Sequence, residues 1–158
     1  MFKIGDKIVY PMHGAGIIES IEEKEILGEM RRYYVLRMPI GDMKVMIPIM
    51  NVQDIGLRKV IDEEGVLRVL SILQEKDSPM NTNWNRRYRN NMEKIKSGNV
   101  FELAEVVRNL STRDKDKGLS TGEKKMLDNA RQILISELVL VKDSKEDKIK
   151  NLLEEYLA

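Results

Sequence analysis

Asp62-Glu63-Glu64-Gly65-Val66-Leu67-Arg68-Val69-Leu70-Ser71-Ile72-Leu73 is the stretch at which this chain changes period. Val66, Leu67, Val69, Leu70 and Leu73 recur at the spacing of one helical face. The three acids in front of them suit the positive end of a helix dipole. Asp77-Ser78-Pro79 ends the pattern. Before this stretch the chain carries strand signals, and after it helical ones. Strands followed by helices predict an α+β protein: a small N-terminal antiparallel barrel, then a compact C-terminal bundle of about five α-helices.

Upstream, Lys7-Ile8-Val9-Tyr10 stops at Pro11, and the small residues Gly14-Ala15-Gly16 lead into Ile17-Ile18-Glu19-Ser20-Ile21-Glu22. Leu27-Gly28-Glu29 reads as a turn before Arg31–Arg37. Pro39-Ile40-Gly41-Asp42 reads as another, before Met43–Pro48. Short β-branched and aromatic runs divided by Gly/Pro turns predict a curled antiparallel sheet closing toward a barrel. A core from about 50 residues is thin, so the barrel is expected to lean on the rest of the chain or on a partner. Its edge strand is expected at Met43–Pro48.

Downstream, Asn83 is placed to cap a helix that starts at Trp84 and stops near Ser97-Gly98. Asn99 caps a third helix, closed by Gly118. Ser120-Thr121-Gly122-Glu123 has the form of a capping box ahead of Met126, Leu127, Ala130, Ile133, Leu134 and Leu138. A looser box, Ser144–Asp147, opens the last helix. The expected division is residues 1–55 and 60–158, with a hinge near Val52–Lys59.

Composition removes many functions. The chain has 158 residues, 27 Lys+Arg against 26 Asp+Glu, no cysteine and one histidine, His13. Disulfides, thiolate metal sites and cysteine nucleophiles are excluded, and a histidine-rich metal site with them. No phosphate-binding glycine loop, dinucleotide fingerprint or nucleophile elbow is present. No cofactor and no small-molecule substrate are expected, and the chain is not expected to be an enzyme. No apolar run approaches the roughly 18–20 residues of a membrane span, so a cytoplasmic location is expected. The net charge of +1 gives no global attraction to nucleic acid.

Charge is uneven, however. From Trp84 to Lys96, Arg86, Arg87, Arg89, Lys94 and Lys96 stand against Glu93 alone. Lys124 and Lys125 lie just inside the helix opened by Ser120. Thr82-Asn83-Trp84-Asn85-Arg86-Arg87-Tyr88 combines an amphipathic ring at a helix head with arginines suited to phosphates. The same residues admit a plainer reading. Trp84, Tyr88, Met92 and Ile95 share one helical stripe, and such a stripe packs a core. From the residues alone both readings stand.

Several motifs resemble the CarD/CdnL family of bacterial transcription regulators. Phe2–Asp6, Val9-Tyr10-Pro11, His13-Gly14, Tyr34-Val35-Leu36 and Gly41-Asp42 are similar to the Tudor- or SH3-like barrel that opens that family. Thr82–Tyr88, Ala104–Arg108, Lys117–Ser120, Gly122–Leu127 and Ala130–Leu134 resemble its helical half. The resemblance implies that residues 1–55 dock on the β subunit of RNA polymerase by strand addition, through Lys24 and Lys44-Val45-Met46-Ile47-Pro48. Family members carry basic residues at the positions of Lys24 and Met46; Lys24 fits and Met46 departs. The resemblance further implies that residues 60–158 contact promoter DNA. Trp84 would wedge into the minor groove at the upstream edge of the melted region, with Arg86, Arg87, Arg89, Lys124 and Lys125 on the backbone. Stabilisation of the open complex is the implied function. Two alternatives are a polymerase-docking adaptor with no DNA contact and a barrel-type RNA-binding module.

Overall fold

The computed structural model describes residues 2–49 and 56–158. Five strands come first: β1 (Lys7–Tyr10), β2 (Gly14–Ile26), β3 (Glu29–Arg37), β4 (Lys44–Pro48) and β5 (Arg58–Lys59). Five helices follow: α1 (Glu63–Gln74), α2 (Trp84–Lys96), α3 (Val100–Asp116), α4 (Thr121–Lys142) and α5 (Glu146–Leu157). This is the α+β arrangement expected.

The strands form one antiparallel sheet in the order β4-β3-β2-β1-β5. A bulge between Ile18 and Ser20 bends β2 where it passes from β1 to β3. The sheet thereby curls round Ile8, Ile18, Tyr34, Leu36, Met38 and Ile47. Beyond the bulge β2 and β3 run on as a long hairpin, exposed from Glu22 to Arg32. Leu27, in left-handed backbone at φ 52°, stands 97% exposed at its tip. The sequence reading ended β2 at Glu22; the strand continues to Ile26.

β4 lies at one edge, as expected. β5 was not foreseen: Arg58 and Lys59, inside the expected hinge, pair with Val9 and Ile8. Of the rest of that hinge, Gly56 and Leu57 lead into β5, and 52–55 lie outside the described residues.

In the bundle α4 is the central element, touching each of the other helices and β2. At 22 residues it is about 33 Å long. Its caps follow the sequence: the Ser120 Oγ accepts from the Glu123 amide at 3.2 Å, and Asp143 leaves the helix in left-handed backbone. Asp62, Asn83 and Asn99 cap α1, α2 and α3 with their side chains. The loose box at Ser144–Asp147 does not form; Lys145 occupies the cap position with no side-chain bond.

The sheet leans on α4, as its thin core requires. Val9 and Ala15 pack against Leu140, and the buried Ala15 amide donates to Ser136 Oγ at 2.8 Å. Gly14, at φ +113°, lies so close that a Cβ there would stand 2.8 Å from Ser136 Oγ. Arg58 sends both terminal nitrogens to the buried Glu137 carboxylate at 2.8 Å each, and its Nε to the Gly98 carbonyl at 2.7 Å. The Ile61 amide donates to the same carboxylate at 2.9 Å. Sheet and bundle are therefore fastened by shape, hydrogen bonds and a two-pronged ion pair.

Candidate nucleic-acid interface

The site is built at the head of α2. Asn83 Oδ1 accepts from the Arg86 amide at 3.1 Å and fixes where the helix begins. Trp84 is therefore the first helical residue, and its ring projects from the open end. It is 41% exposed. One turn on, the Tyr88 ring stacks against it, with centroids 5.0 Å apart and planes 21° from parallel. The indole Nε1 donates to Ser120 Oγ at 2.9 Å. Beneath lies Gly122, where a Cβ would meet the indole edge at 3.4 Å and Tyr88 at 3.9 Å. Two short sequence features thus converge: the Asn83 cap of α2 and the Ser120 cap of α4. Together they hold an aromatic ring that is both displayed and immobilised.

Behind the ring sits a buried ion pair. Arg87 Nε and Nη2 reach the two Glu123 oxygens at 2.7 and 3.0 Å, and Nη1 reaches the Asn81 and Thr82 carbonyls at 3.2 and 3.4 Å. Arg87 is 4% exposed and Glu123 1%. The hydrogen bonds from Arg87 hold the Glu123 carboxyl below the usual carboxylate range despite burial; the charges of Arg87 and Arg113 and a bond from Ser120 act the same way. The Glu123 bond correspondingly raises the Arg87 guanidinium. Ser120 joins ring and pair: its hydroxyl accepts from Trp84 and from the Glu123 amide, and lies 3.4 Å from Glu123 Oε1.

These contacts correct two sequence readings. The stripe Trp84, Tyr88, Met92, Ile95 is core only in part: Ile95 is buried and Tyr88 and Met92 pack half-buried against the core, but Trp84 is exposed, and the other fully buried residues of α2 are Arg87 and Asn91. The inward face is widened toward polar residues, of which Arg87 finds its partner inside. Arg87 was expected on the DNA backbone, but its guanidinium is enclosed and committed to Glu123, so it positions the platform instead. Arg108 on α3 is likewise buried, bonded to the Ile72 carbonyl and Ser78 Oγ.

The other expected cations are at the surface. Arg86, Arg89, Lys124 and Lys125 are exposed, and among the described residues none forms an ion pair. Arg89 and Lys96 border a shallow groove that begins at the Trp84 and Tyr88 rings. Lys124 and Lys125 lie in the first turn of α4, beside Ser120 and Gly122. Sequence reading missed Ser120, Gly122 and Glu123 as parts of the site. They were recognised as a capping box, and nothing local says that an indole would rest on it.

The expected polymerase-binding residues lie on two parts of the sheet. Lys24 is exposed on the long hairpin, opposite Arg31. Lys44, on β4, pairs with Glu19 at 3.0 Å; Val45, Met46 and Pro48 are half-buried. Ile47 turns its side chain fully into the sheet core, so only its backbone belongs to the edge. Among the described residues β4 has β3 on one side and no strand on the other. Its outward amide and carbonyl groups can accept an added strand.

Sequence comparison divides the chain where the fold does. Residues 2–61 match the CarD-like/TRCF RID domain, and residues 68–154 match the CarD C-terminal domain. The chain belongs to the CarD family. YdeB of Bacillus subtilis (strain 168), named as a candidate transcription factor, is 50% identical over 151 residues, covering 96% of this chain and 99% of YdeB. Among solved structures, the N-terminal domain of Myxococcus xanthus CdnL is 46% identical, covering 40% of this chain and 89% of that one, with a TM-score of 0.36. The N-terminal domain of Myxococcus xanthus CarD is 32% identical, covering 37% and 79%, with a TM-score of 0.33. CarD-like proteins form a transcription-factor family, which sets the coarse function as transcription regulation. Among the described residues no helix is long and apolar enough to cross a membrane.

Proposed function

We propose that this CarD-family protein binds the RNA polymerase β subunit through the β4 edge and stabilises the promoter open complex. Trp84 would enter the minor groove at the upstream edge of the melted region, while Arg86, Arg89, Lys124 and Lys125 hold the DNA backbone. The observation that carries this reading is the state of the indole. It is open to solvent on one side, yet stacked, hydrogen-bonded and underlain on the others. A ring already fixed in place loses little conformational entropy when it meets a partner. Four exposed cations, without carboxylate partners among the described residues, stand on the same two helices, where phosphate contacts would be useful.

The mechanism is differential binding. An apolar wedge gains more from opened, partly unstacked DNA than from closed duplex, because unstacking has already been accomplished. A difference of about 1.4 kcal/mol multiplies the open-to-closed ratio about tenfold. The indole's one donor is occupied by Ser120, so base choice falls to minor-groove shape, and sequence preference should be slight. With a net charge of +1, binding to free DNA should be feeble. Simultaneous attachment to polymerase would compensate through effective concentration.

Trp84→Ala tests the reading. Open-complex lifetime on a promoter with an unstable bubble should fall about tenfold, with polymerase binding and thermal midpoint little changed. Unaltered lifetimes would remove the wedge.

A further inference from the structure

A second cavity, of about 420 Å³, opens on another side of α2, between that helix, the Ser78–Asn81 segment and α3. Asn91, 4% exposed, faces it. Its Nδ2 donates only to Met80 Sδ, at 3.6 Å, and a thioether is a weak acceptor. Among the described residues nothing donates to its Oδ1. The buried Asn109 nearby is different: its Oδ1 accepts from the Ser78 amide and Arg108 Nε, and its Nδ2 donates to Ser78 Oγ. Among the described residues the enclosed orphan atoms are Ser111 Oγ and Arg113 Nε, so the Asn91 Oδ1 is not sealed off; this carboxamide is open to the cavity, where a ligand can complete it.

The charge of the lining narrows what that can be. Arg87 is spent on Glu123, and Lys94 lies 3.2 Å from Glu105. The carboxylates of Glu93 and Glu102 border the cavity with no ion pair among the described residues. A phosphate would therefore meet no free cation and two acids. Met80 and Pro79 supply adaptable apolar wall, suited to the face of a flat ring. A carboxamide presents a donor beside an acceptor, the pattern with which asparagine pairs an adenine edge in two bonds.

We propose that this cavity takes an unpaired nucleobase, its donor–acceptor edge on the Asn91 carboxamide and its face against Met80. The base could be supplied by a free nucleoside or by a single strand with one base turned outward, since both offer the same edge. Nothing in this inference requires Trp84 to meet DNA.

The test titrates the full chain, followed by NMR, with adenosine, with adenosine 5′-monophosphate, and with a DNA hairpin carrying one unpaired adenine beside its fully paired counterpart. Saturable shifts of the Asn91 side-chain amide and the Met80 methyl group are expected with adenosine, and weaker binding of the monophosphate. Asn91→Leu should weaken adenosine binding about tenfold or more. Asn91→Asp, which keeps the shape and loses the donor, should weaken it likewise, and Trp84→Ala should leave it unchanged. Tighter, Asn91-dependent binding of the unpaired hairpin than of adenosine would assign the strand as source; the reverse order would assign the free nucleoside. Absence of saturable shifts with either probe overturns the proposal. So does adenosine binding undiminished in both Asn91 variants relative to the unaltered chain, or equal Asn91-dependent binding of the paired and unpaired hairpins.

Discussion

Two arginine–glutamate pairs, alike in chemistry, perform different tasks in this molecule. Arg87–Glu123 lies wholly inside the bundle and sets the floor on which the indole rests. Arg58–Glu137 spans the seam between sheet and bundle, with its arginine side chain 29% exposed and its carboxylate 1%. Both are two-pronged, and both arginines also reach backbone carbonyls. The difference is what each would leave behind if broken. Loss of Arg87 strands a buried carboxylate with only Ser120, the more distant charge of Arg113 and its helix-end setting to stabilise it. Loss of Arg58 leaves Glu137 the Ile61 amide and a route to water. A buried pair is thus better judged by the group it would abandon than by the attraction it supplies.

Arg87→Met should be the most damaging change, lowering stability by about 3–5 kcal/mol, read from chemical denaturation. Arg87→Met with Glu123→Leu should recover much of that loss, because no charge is then left unpaired; a double variant as weak as the single would break the comparison. The pair also sets a pH response. The folded Glu123 carboxyl titrates below its unfolded value, so its contribution is complete above the ordinary carboxylate range near pH 4.3 and is lost as pH falls through the folded value. Glu123→Gln should flatten stability against pH in that acidic window.

Arg58→Ala should cost less, about 2 kcal/mol, in keeping with the partial exposure of the arginine. Its distinctive effect should be on the seam: amide exchange at Ala15 and Ile61 should accelerate while the Trp84 environment stays unchanged. Equal disturbance of Trp84 would mean the two pairs are not independent. Ser120→Ala should be smallest, about 1 kcal/mol, from loss of a helix cap. It should nevertheless raise the access of aqueous quenchers to Trp84, because the indole loses the hydroxyl that tethers it.

Legibility in the sequence followed distance along the chain. The Asn83 cap, the start of α2 at Trp84 and the capping of α4 by Ser120 depend on residues within one turn, and all were readable. The change of period at Asp62 gave the α+β order for the same reason. Arg87 was misread because its partner is 36 residues away, and no local pattern separates a buried arginine from an exposed one beside it. The residues alone left open whether the aromatic stripe of α2 packs inward, and Arg87 and Asn91 went unseen as buried because wheel arguments assume that inward means apolar. β5 escaped because two residues carry no periodicity; only their pairing with β1 makes them a strand.

Gly14 has a consequence reaching far beyond its own size. Sheet and bundle touch there almost backbone to hydroxyl, at the joint between them. A methyl group inserted at a pivot acts like a shim under one foot of a tripod: a small thickness near the joint becomes a large displacement at the far end. The two surfaces proposed to meet one assembly at once would shift relative to each other, though every residue in either surface were intact.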